Sequence, residues 1–109
     1  MKETSVRELI AATGGVLISG SEDAVFSNIV IDSREANKNS LFVPVVGERN
    51  DAHKFLEAVY TAGCRMAISS RKDIFLKPDF NVVLVENTTK ALQDLGIYLR
   101  SKLSLPLVG

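Results

Sequence analysis

The sequence predicts an α/β domain, a small mixed sheet with flanking helices. Three observations carry this. After residue 41, short apolar runs at 41–46, 66–69 and 81–86 alternate with helix-period segments at 51–63 and 87–103. Before residue 41, the runs 16–18 and 25–31 flank the turn-forming "SGSED" and read as a hairpin-like pair. The 109 residues are 46% hydrophobic, enough for one core in one domain without disulfide or metal staples.

The elements follow in order. "TSVRELIAATGG" is a short helix: Ser5 and Glu8 stand at capping-box spacing, Val6, Leu9 and Ile10 share a face, and Gly14-Gly15 ends it. The third strand, 41–46, contains Pro44, which cannot donate to a ladder and predicts an edge or a bulge. The helix over 51–63 is capped by Asn50 or Asp51, turns Phe55, Leu56, Val59 and Ala62 inward, and closes at Gly63. "RKDIFLKPDF" is a charged connector between the short strand 66–69 and the buried strand 81–86. The clearest helix spans 87–103, with Asn87 or Thr88 as cap and Leu92, Leu95, Leu99 and Leu103 on one stripe. "LSLPLVG" has the character of a further strand entering a core. On that ground the sequence reads as a single domain, 1–109, of a longer protein.

Composition excludes several classes. Thirteen basic residues balance thirteen acidic ones, which argues against a nucleic-acid or membrane-surface role. No apolar run approaches the ~20 residues of a membrane span, and the charged N-terminus does not resemble a signal peptide. A single cysteine, Cys64, forms no internal disulfide and reads as a small buried packer. A cytoplasmic location is expected. The sequence has neither a phosphate loop nor a dinucleotide fingerprint nor a nucleophile elbow, and one histidine with one cysteine makes no metal cluster. No catalytic residue, metal site or cofactor of its own is expected in this chain.

Two polar segments stand out. Asp32-Ser33-Arg34 closes one strand-like run, and Gly47-Glu48-Arg49-Asn50-Asp51 closes the next. Each has a structural and a functional reading. Asp32 and Ser33 are common turn formers, and Arg34 is then a solvated charge. Alternatively Ser33 hydrogen-bonds a base or sugar and Arg34 forks onto a phosphate. Gly47 permits a tight turn, and Asn50 and Asp51 cap a helix. Alternatively that helix start, with Arg49, receives a phosphate, although Glu48 and Asp51 repel one. His53 reads as a packing or surface histidine.

The ordered set of D-S-R, "LFV…G", "D-x-H-x-F" and "V-x-N-T-x-x-A-L" resembles the N-terminal domain of the Mur ligases, in their MurE and MurF branch. The opening "VRELIAATGGVLISG" is more similar to MurF. The resemblance implies a domain that holds the UDP end of UDP-N-acetylmuramoyl-tripeptide. It also implies a full-length enzyme that adds D-alanyl-D-alanine with ATP and Mg2+, and a monomer is favoured. It assigns the UDP contacts to Asp32, Ser33, Arg34, Gly47, Glu48, Arg49 and Asn50, and makes Thr88 structural. Two departures touch the second loop: Ala52 replaces the family's usual glycine, and Pro44 a small residue. The alternatives are a MurE-type domain, or a non-enzymatic interaction module of the same small fold.

Overall fold

The computed structural model describes residues 3–47 and 51–108, with side chains through residue 101. Strand β1 (Thr4–Ser5) leads straight into α1 (Val6–Thr13). The Ser5 hydroxyl accepts the Glu8 N–H at 3.1 Å, and the Glu8 carboxylate accepts the Ser5 N–H at 3.0 Å. This is the expected capping box, and Gly14 at φ 72° ends the helix. Strands β2 (Val16–Ser19), β3 (Val25–Phe26) and β4 (Asn28–Val30) follow. A 3-10 turn, Ser33–Glu35, precedes β5 (Ser40–Phe42). A second, Ala52–Phe55, opens α2 (Leu56–Thr61). Then come β6 (Met66–Ser69), β7 (Asn81–Leu84) and α3 (Thr88–Val108).

Five strands form one mixed sheet in the order β2-β7-β6-β5-β4, and β1 pairs with β3 in a separate two-stranded ribbon. Only the β2–β7 pair is antiparallel within the five. Alternation along the strands divides the core between the two faces. Leu41, Met66, Ile68 and Val83 pack with Val6 and Leu9 of α1 and with Ala91 and Leu95 of α3. Phe42, Ala67 and Val82 pack with Leu56 and Val59 of α2 and with Phe80. The result is three layers, helices on both faces of a sheet. Each large apolar side chain fully buried here stabilises the fold by about 1.5–3 kcal/mol.

Several elements differ from expectation. The run 25–31 is two strands in two sheets. The break falls at Ser27, where the Ser27 and Asn28 N–H groups both donate to the Asn39 carbonyl, at 2.8 and 3.3 Å. The hairpin-like pair does not form, because β2 takes β7 as its partner and lies on the edge opposite β4. Strand β5 is interior and stops at Phe42, so Pro44 lies past its end and needs neither an edge nor a bulge. Phe55 is 38% exposed, since the 3-10 turn rotates it off the inward stripe, and Ala62 is exposed too. The "LSLPLV" segment continues α3 as helix and is not a strand.

Candidate functional site

Strands β4, β5, β6 and β7 are parallel, so their carboxyl ends open at one end of the sheet. Such ends are the usual ligand crevice of an α/β sheet. Strands β4 and β5 are direct neighbours, with Val30 opposite Phe42 and the Val43 N–H donating to the Val30 carbonyl at 2.9 Å. The segments that begin at Ile31 and Val43 therefore leave adjacent strand ends.

In the first segment Asp32 caps the 3-10 turn by accepting the Arg34 N–H at 2.9 Å. The Arg34 guanidinium then folds back on the same carboxylate: Nη2 donates to Oδ2 at 2.8 Å and Nε to Oδ1 at 3.1 Å. These side-chain bonds, then the backbone bond, pull the Asp32 carboxyl down to about 2. The fork read in the sequence as a phosphate ligand thus faces Asp32. The Arg34 side chain is 87% exposed, so a ligand phosphate competes for it in water. Ser33 is partly buried in the same turn.

In the second segment Val46 pairs with Asp51, and the Ala52 N–H donates to the Val45 carbonyl at 3.2 Å. Gly47 follows Val46; Glu48, Arg49 and Asn50 lie outside the described residues. The helix start expected to receive a phosphate is closed by the Asp51 carboxylate, which accepts the His53 N–H at 2.9 Å. Only a 3-10 turn follows before α2 begins at Leu56. Burial raises the Asp51 carboxyl, but hydrogen bonds from the His53 backbone and ring, with the charge of Arg71, outweigh it and hold the group below its ordinary value. The second Asp51 oxygen pairs with the Arg71 guanidinium. His53 is buried, accepts the Ser70 N–H at Nε2 and contacts Asp51 through Nδ1.

Sequence reasoning missed a third wall of the crevice. A cleft of about 240 Å³ is lined by Val46, Ser70, Glu86, Asn87, Thr88 and Thr89. It joins the ends of β6 and β7 to the start of α3, where the Asn87 side-chain oxygen accepts the Lys90 N–H at 2.9 Å. Thr88 is 2% exposed, in keeping with a structural place. The signal was available in the alternation of strand and helix after residue 41, which sends each strand's end the same way. Cys64 is buried, and burial pushes its thiol up, as suits a packing residue. Among the described residues no three His, Cys, Asp or Glu side chains gather to hold a metal ion. Among them, too, no helix is long and apolar enough to cross a membrane.

Known proteins resemble this chain in sequence and fold. No family model matches the chain. It is 28% identical over its whole length to the UDP-N-acetylmuramoyl-tripeptide–D-alanyl-D-alanine ligase of Bacillus subtilis, covering 24% of that protein. It is 31% identical, over 94% of its length, to the UDP-N-acetylmuramoyl-L-alanyl-D-glutamate–2,6-diaminopimelate ligase of Alkaliphilus metalliredigens, covering 21% of it. A crystal structure of MurF from Acinetobacter baumannii superposes with a TM-score of 0.83 at 31% identity, over 94% of this chain and 22% of that one. The chain spans about a quarter or less of the length of the curated relatives it matches. By sequence and fold the chain belongs to the Mur ligases, as an N-terminal domain. It is similar to MurF over its whole length in sequence and over 94% of its length in solved structure.

Proposed function

We propose that this domain, 1–109, holds the UDP moiety of UDP-N-acetylmuramoyl-tripeptide within a cytoplasmic MurF-type ligase of peptidoglycan precursor synthesis. The observation that carries the reading is the pair of segments leaving the adjacent ends of β4 and β5, in a chain matched along its whole length to a MurF-type ligase of which it covers 24%. Ser33 supplies a hydroxyl for the uridine, and Asp32 shapes the turn that presents it. Arg34 and Arg49 meet the phosphates, and Gly47, Glu48 and Asn50 complete the second segment. ATP, Mg2+ and D-alanyl-D-alanine belong to the full-length enzyme.

A MurE-type ligase is the second reading. It is carried by the 31% identity to a diaminopimelate-adding enzyme, which equals the identity to the MurF of A. baumannii. The test is the protein made from the whole gene, supplied with ATP, Mg2+ and either the UDP-linked tripeptide plus D-alanyl-D-alanine or the UDP-linked dipeptide plus a diamino acid. Product from the first pair alone is expected. Product from the second pair alone overturns the MurF assignment, and product from neither overturns both.

A further inference from the structure

His53 is a buried group that the proposed function leaves unused. Its side chain is 4% exposed, and its ring joins segments 17 residues apart. Ring Nε2 lies 2.9 Å from the Ser70 backbone nitrogen. An amide N–H only donates, so Nε2 accepts and carries no proton. The ring proton is then on Nδ1, which donates to Asp51 Oδ1 at 2.6 Å. The Ser70 hydroxyl lies 3.3 Å from the same Nε2. Asp51 in turn pairs with Val46 across the second segment, and Ala52 bonds Val45. The histidine therefore ties the return of that segment to the end of β6. The charged groups around it are Asp51 and Arg71, with Lys54, Glu57 and Asp73 lining the same cleft of about 500 Å³.

We infer that His53 is a positioning residue. With its proton on Nδ1 it clamps Asp51 against Ser70, and so sets the Val46–Asp51 pairing that brackets the second segment of the proposed nucleoside-diphosphate site. The inference rests on the proposed function of that segment. A second ring proton, at Nε2, puts two donors face to face at Ser70, so double protonation opens the clamp.

Isosteres separate the two ends of the ring. Glutamine reaches the Nε2 position and offers Ser70 an acceptor. Asparagine reaches only the Nδ1 position and keeps the Asp51 bond alone. In His53→Gln the Ser70 amide keeps its exchange protection, and UDP binds within about threefold of wild type. In His53→Asn the Ser70 and Ala52 amides exchange faster, and UDP binding weakens about tenfold. Nitrogen NMR of the wild-type ring shows the proton on Nδ1. Thermal melting of each variant identifies any that has simply failed to fold; a folded His53→Asn with unchanged Ser70 and Ala52 amides overturns the clamp. So does a wild-type ring carrying its proton on Nε2, or equal losses in both variants. A wild type that ignores UDP sinks the proposed function instead, and the Ser70 and Ala52 amides still decide the clamp.

Discussion

Arg34→Ala tests how the first segment is held. The Asp32 carboxyl titrates at about 2, below its ordinary 3.8, and the Arg34 side chain is the largest cause. The next cause is the Arg34 backbone N–H, which an alanine keeps. The variant therefore raises the Asp32 midpoint from about 2 only part of the way to 3.8. The folded carboxyl ionises more readily than the unfolded one. Its contribution to stability is thus fully present above 3.8 and is lost as the pH falls through about 2. Removing the guanidinium narrows that window from its acid side. Because Arg34 is 87% exposed, high salt raises the wild-type midpoint as well. The assay is carbon NMR of the Asp32 carboxyl through the acid range, in wild type and variant. A midpoint unmoved by the substitution, or a wild-type midpoint already at 3.8, refutes the ion-paired turn. Arg34 would then be free for a phosphate without competition.

Two further substitutions test the packing that positions the site. At Gly15 an added Cβ meets a Val83 methyl at 2.5 Å and the Leu84 carbonyl at 2.8 Å. Gly15→Ala therefore pushes β2 from β7 and lowers denaturant stability by about 1–3 kcal/mol; an unchanged unfolding midpoint contradicts the antiparallel pair. Leu95 is fully buried between α3 and the sheet, so Leu95→Ala costs about 2–5 kcal/mol by the same measurement, and a loss under ~0.5 kcal/mol contradicts that docking.

The layers of the fold were legible because burial is periodic. Leu41, Met66, Ile68 and Val83 alternate cleanly with Phe42, Ala67 and Val82, and Ser5 with Glu8 announces α1. Pairing was not legible, because it is a contest between distant partners. Residues 25–31 are one run by propensity, yet Asn39 draws Ser27 and Asn28 together and splits it. Nothing near Val16 in the sequence names β7 as its neighbour. The alternation in "LSLPLV" fits a strand, but the backbone continues α3. At the site, the D-S-R turn was readable because Asp32 bonds its own near neighbours. The contact of His53 with Ser70 was not, since it depends on α2 crossing over the sheet.

The central claim, that the loops at the ends of β4 and β5 receive UDP, is tested by titrating the labelled domain with UDP and then uridine. The account predicts weak binding, with a Kd of roughly 0.1–1 mM. Amide shifts gather at residues 31–35 and 43–51. Ser33→Ala weakens both ligands by about 0.5–1.5 kcal/mol. Arg49→Ala weakens UDP more than uridine, because a guanidinium acts on the phosphates. Shifts confined to Gly20 and Gly63, remote from these segments in sequence, or equal losses of UDP and uridine in Arg49→Ala, contradict it.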